Sequence, residues 1–195
     1  MRRGIALVVV VVVAVACGPA GSGDLATDAR SVAPFDRIAV SEGLDLTVEI
    51  RPGASQAVEV VYDDNLVGLI GTEVVGGELR IEILDSFRVT GGGRFVRVVV
   101  GDLDGITAES GADVRVTGTV EEIAIHASGG AAFDLSLLEA QRIDIVASGG
   151  SYVAVRAAEA VTGEASGGAE VLVLGDPEHV DIAVSGGAVV RSEPG

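Results

Sequence analysis

Ser128-Gly129-Gly130-Ala131-Ala132-Phe133-Asp134-Leu135 holds the key to this chain, because its opening returns at a fixed interval. Ser148-Gly149-Gly150, Ser166-Gly167-Gly168 and Ser185-Gly186-Gly187 repeat it, and Ser110-Gly111-Ala112 is a variant, every 18 to 20 residues. Aligned on Gly111, Gly130, Gly150, Gly168 and Gly187, the flanking apolar residues fall into columns. Before the turn stand Ile106, Ile125, Ile145, Gly163 and Ile182, then Ala108, Ala127, Ala147, Ala165 and Val184. After it stand Val114, Phe133, Val153, Val171 and Val190, then Val116, Leu135, Val155 and Val173. Alternation with a period of two on both sides of a glycine turn marks half-buried strands. One repeat cannot bury its own apolar face, but a stack of them can. The expectation is an all-β, right-handed β-solenoid (β-helix-like), with coils of about 18–20 residues.

The glycines carry the corners. Gly111, Gly129, Gly130, Gly149, Gly150, Gly167, Gly168, Gly186 and Gly187 are read as structural turns, where positive φ or close backbone approach excludes a Cβ. The preceding serine can bond back to the backbone, so its recurrence needs no catalytic explanation.

The N-terminal half begins in the same manner, with Ile38, Val40, Leu46 and Val48 placed around Gly43. Val58 to Tyr62, Leu79 to Leu84 and Phe95 to Val100 read as further strands. Asp63-Asp64-Asn65 reads as a turn, Leu66 to Ile70 as one helical turn, Gly76-Gly77 as a hairpin and Gly91-Gly92-Gly93 as a mobile loop. This is a less regular β section leading into the coils, not a second domain.

The opening Phe35-Asp36-Arg37-Ile38-Ala39-Val40 through Leu46-Thr47-Val48, the Gly76-Gly77-Glu78-Leu79-Arg80-Ile81 hairpin and the serial Ser-Gly-Gly turns resemble one known family. It is the putative auto-transporter adhesin, head GIN domain family, and the resemblance covers residues 35–192. It implies an exported, often lipid-anchored right-handed β-solenoid with no assigned biochemical role. Repeats of that family often carry an acid just after the turn, as at Gly111-Ala112-Asp113; here Ala131, Ser151, Ala169 and Ala188 are read in its place.

The N-terminus reads as a signal. Arg2 and Arg3 precede the apolar run Ile5 to Val13, and Ala14-Val15-Ala16 leads into Cys17. The apolar run is too short for a membrane-spanning helix, which needs about 20 residues. Residues 1–16 are therefore expected to be a lipoprotein signal peptide, with Cys17, the only cysteine, as the lipidation site. Gly18-Pro19-Ala20-Gly21-Ser22-Gly23 has linker composition, so residues 17–34 are expected to be a flexible tether and 35–192 the folded domain. The expected location is extracytoplasmic, with the protein lipid-anchored to a bacterial membrane.

A net charge of −16, no lysine and no tryptophan argue against nucleic-acid binding. His126 and His179 stand apart and lack cysteine partners, so no zinc site is expected; His126 falls on the solvated side of its strand. Asp102, Asp104, Glu109 and Asp113 are the best calcium candidates, but the glycine-rich calcium-binding nonapeptide pattern is missing. No Gly-x-Ser-x-Gly elbow is present either. No catalytic residue, metal or cofactor is assigned. The expected function is a non-enzymatic binding, adhesion or scaffold module meeting a surface protein or glycan, with self-association through the solenoid ends open to it. The alternatives are a polysaccharide-active enzyme on a β-helix frame and a purely structural spacer.

Overall fold

The computed structural model describes residues 18–89 and 91–194. The expected signal peptide over 1–16 and the lipidation site at Cys17 lie outside the described residues. Fourteen strands follow in order: β1 Leu25–Arg30, β2 Arg37–Val40, β3 Asp45–Ile50, β4 Ala57–Asp63, β5 Ile70–Val75, β6 Glu78–Ile83 and β7 Phe95–Val100. After them come β8 Gly105–Ala108, β9 Asp113–Ala127, β10 Ala132–Ala147, β11 Tyr152–Ala165, β12 Glu170–Leu174, β13 His179–Val184 and β14 Val189–Glu193. A 3₁₀ turn, Val67–Leu69, leads into β5.

The strands of the described residues belong to one 14-stranded sheet, in which one path runs β1-β4-β7-β3-β9-β10-β11-β12-β14. The sheet forks where a strand is long enough to take two partners. β9 pairs with β3 through Asp113 to Gly118 and with β8 through Ala124 to Ala127. β11 likewise pairs with β12 and then with β13. The sequence columns meet in register: Ile125 pairs with Ile106 and Ile145, and Phe133 pairs with Val114 and Val153.

The right-handed β-solenoid is corrected here. The sheet curls around a single apolar interior as a nearly closed barrel. Period-two alternation says which side chains face inward, but not whether successive strand segments form separate faces. In β9, β10 and β11 those segments fuse into continuous strands of 15, 16 and 14 residues, so one sheet bends round. The N-terminal part also departs from parallel coils, since β1–β4, β4–β7 and β5–β6 are antiparallel. Inward Val48, Val60, Val98, Val116, Ile125, Phe133 and Val171 are buried. Each such Val or Ile contributes about 1.5–3 kcal/mol when fully buried.

The tether expected over 17–34 is corrected too. Its second half contains β1, which pairs antiparallel with β4 from Leu25↔Asp63 to Arg30↔Val58.

Candidate functional site

The glycine corners are two-residue turns with both central φ angles positive, the geometry glycine adopts without steric cost. The pairs are Gly129 and Gly130 (60° and 81°), Gly149 and Gly150 (63° and 76°), Gly167 and Gly168 (60° and 82°), and Gly186 and Gly187 (59° and 82°). The two places differ in their surroundings. A Cβ on Gly149 would lie 3.0 Å from the Gly129 nitrogen, and one on Gly167 would lie 3.1 Å from the Gly149 nitrogen. A Cβ on Gly150 or Gly168 would meet open space. Gly111, at 79°, takes the second place of its turn, and Ser110, at 53°, takes the first despite its side chain.

The residue after each pair points inward: Ala112, Ala131, Ser151 and Ala169 are buried. The Ser151 hydroxyl donates to the Ala127 carbonyl at 3.3 Å. Asp113 belongs one position further on, facing Asp45 and Ala132 across the sheet. The position matching its acid is therefore Ala132, then Tyr152, Glu170 and Val189, not Ala131 and its equivalents. Burial, then the neighbouring Asp113, push the Asp45 carboxyl up, against the lowering effect of Arg115.

A polar site that sequence reasoning missed sits where the N-terminal chain joins the barrel. Asp63 ends β4 fully buried and pairs with Arg94, itself 7% exposed. Arg94 Nη2 donates to Asp63 Oδ1 at 2.8 Å, its Nε donates to Oδ2, and its Nη1 donates to the Gly91 carbonyl at 3.1 Å. The Gly23 N–H donates to Asp63 Oδ1 at 2.7 Å. The Arg94 hydrogen bonds, and then that from Gly23, outweigh burial and hold the Asp63 carboxyl down at about 2.

Around this pair the first described residues are stapled down. The Arg88 N–H donates to the Pro19 carbonyl at 2.9 Å, and the Gly21 N–H donates to the Arg88 carbonyl at 2.8 Å. Asn65 accepts from the Ser22 N–H at 3.0 Å and donates to the Ala20 carbonyl at 2.9 Å. A Cβ on Gly18 would collide with the Ser86 carbonyl, and one on Gly21 would stand 2.7 Å from the Asp63 carboxylate. These glycines fit tightly; they are not slack. The Asp-Asp-Asn turn and an arginine just after three glycines were the available signals, but neither has a period that would join them.

The outer face carries charge. Arg142 donates to Glu121 at 3.0 Å, Glu122 at 3.2 Å and Glu159 at 3.1 Å. His126 and His179 are both exposed. The structure does not gather Asp102, Asp104, Glu109 and Asp113: among the described residues no group of three or more His, Cys, Asp or Glu is placed to hold a metal ion. The depressions beside Leu138, Arg156 and Asp176, and beside Pro52, Thr119 and Gln141, open broadly to solvent.

A solved putative adhesin from Bacteroides fragilis is similar in fold, with a TM-score of 0.52 and 16% identity over 89% of this chain and 99% of that one. A putative adhesin from Parabacteroides merdae reaches a TM-score of 0.43 at 14% identity, over 89% and 98%. A putative lipid binding protein from Parabacteroides distasonis reaches 0.41 at 15%, over 89% and 98%. No curated protein matches the chain. The family profile for the putative auto-transporter adhesin, head GIN domain, matches residues 34–120 and again 88–177. Those overlapping matches run through most of the sheet, and the chain belongs to that family.

Proposed function

We propose that this chain is a non-enzymatic extracytoplasmic module, anchored by acyl chains on Cys17, whose outer sheet surface binds a surface protein or glycan. The observation that carries the proposal is an in-register row on β9, β10, β11, β12 and β14, in which Arg115, Asp134 and Arg191 are exposed, Leu172 is half-buried and Ala154 between them is buried. Side chains in such a row recur every ~4.8 Å on a rigid sheet, which suits an extended partner better than a small substrate. The family's name agrees with this reading. A second copy adding to the open edges at β13 and β14, where Val180, Val184 and Val189 are exposed, belongs to the same proposal.

The test is adhesion of cells displaying the full chain, compared with cells displaying Arg115→Glu together with Asp134→Arg. Binding is expected to fall at least about tenfold, the equivalent of ~1.4 kcal/mol, with an unchanged unfolding midpoint. Unchanged binding would support the spacer reading instead. Release of sugar fragments from envelope polysaccharide would establish an enzyme and end the binding proposal.

A further inference from the structure

The docked N-terminal residues fix which part of the molecule must face a membrane. Cys17 precedes Gly18 by one peptide bond, so their Cα atoms lie about 3.8 Å apart. Gly18 is packed on the Ser86 carbonyl, and Pro19 and Gly21 are bonded to Arg88. A lipid on Cys17 would therefore emerge beside the segment 84–89, with no tether between. That segment carries Leu84, 60% exposed, and Val89, 40% exposed. Leu25, 49% exposed, packs near Gly93, four residues on from Val89. Phe87, in the same segment, is half-buried against Tyr62 with ring centroids 5.7 Å apart. Apolar side chains on a polar margin are what inserts at a bilayer interface.

We propose that Leu84, Val89 and Leu25 form a bilayer-contacting rim that seats the barrel directly on the membrane. The proposal rests on acylation of Cys17. Its occupant is a zwitterionic lipid surface. Asp85 and Arg88 balance each other on the rim, while Asp24 and Asp64 flank the junction and would be repelled by an anionic leaflet over the ~8 Å Debye length.

The chain has no tryptophan, so a single introduced one reports its own depth. Leu84→Trp, Val89→Trp and Leu137→Trp would each be made in the full acylated chain and reconstituted in phosphatidylcholine vesicles with brominated acyl chains. Leu137 is 74% exposed on β10, five places from β1 along the strand order. Mass spectrometry of the same samples reads acylation. The expected result is loss of most tryptophan emission at 84 and 89, with none lost at 137. Acylated protein with no quenching at 84 and 89, or with equal quenching at 137, overturns the rim and leaves the anchor standing. Protein without acyl chains overturns both.

Discussion

Gly149 carries two constraints at once: its φ is +63°, and the place of its missing Cβ is 3.0 Å from the Gly129 nitrogen. Gly150 carries only the first, at +76° with open space beside it. Gly149→Ala should therefore cost about 1–3 kcal/mol, and Gly150→Asn well under about 1 kcal/mol. Ser110 is the converse, a side chain strained at +53° in the place where later turns have glycine. Relief of ~1–2 kcal/mol of left-handed strain, less the greater chain entropy of glycine, predicts that Ser110→Gly stabilises by about 0.5–1 kcal/mol. Denaturant unfolding of the three variants would check this order, and a Gly149→Ala as stable as the parent would refute it. These positions were legible because residue identity and backbone angle are nearly one fact in a positive-φ turn. Gly163 was not. It stands among isoleucines in its column, and only the structure reveals that a Cβ there would strike the Ile145 carbonyl. Gly118 faces the Ile50 carbonyl in the same way.

Among elements, the join between β1, β4 and the start of β7 depends on a single buried ion pair, Asp63 with Arg94. The Asp63 carboxyl sits at about 2 in the fold, below its ordinary value of about 3.9. A lowered acid stabilises the fold above its unfolded value, and that contribution drains away as pH falls from about 4 towards 2. Asp45 has the opposite sign. Burial and Asp113 raise it, so its ionisation opposes folding as pH rises. Asp63→Asn keeps an acceptor for the Gly23 N–H but deprives Arg94 of its counter-charge. Its unfolding midpoint should fall below the parent's at pH 7, and the two should converge near pH 2. A difference that persists unchanged at pH 2 would mean that the charge is not what holds the join. This is also where composition misled. Gly18, Gly21 and Gly23 look like flexible spacing, yet two are present for close approach and the third for a φ of +90° and an N–H aimed at Asp63. A glycine-rich string reads the same whether it is free or wedged.

For the molecule as a whole, charge governs the behaviour of everything outside the apolar interior. A net charge of −16 on one small barrel repels itself. The visible ion pairs do little to offset that, because exposed pairs such as those of Arg142 are weakened by solvent and salt. Salt should therefore raise the thermal midpoint, with most of the rise complete by about 0.15 M, where screening reaches ~8 Å. A scan across sodium chloride concentrations measures it, and a falling midpoint would show that the ion pairs outweigh the repulsion. The ladder of columns was readable at this scale, while the closure of the sheet was not, since alternation records inside and outside and not curvature. The Asp63 join has a further consequence, for the order in which the parts settle. It gathers Gly23 and Arg94 from 40 and 31 residues away, whereas the ladder from β9 to β12 links each turn only to the next. Longer closures come later. On refolding, the chain would then fix its earliest residues after that ladder, leaving them loose for processing while it condenses.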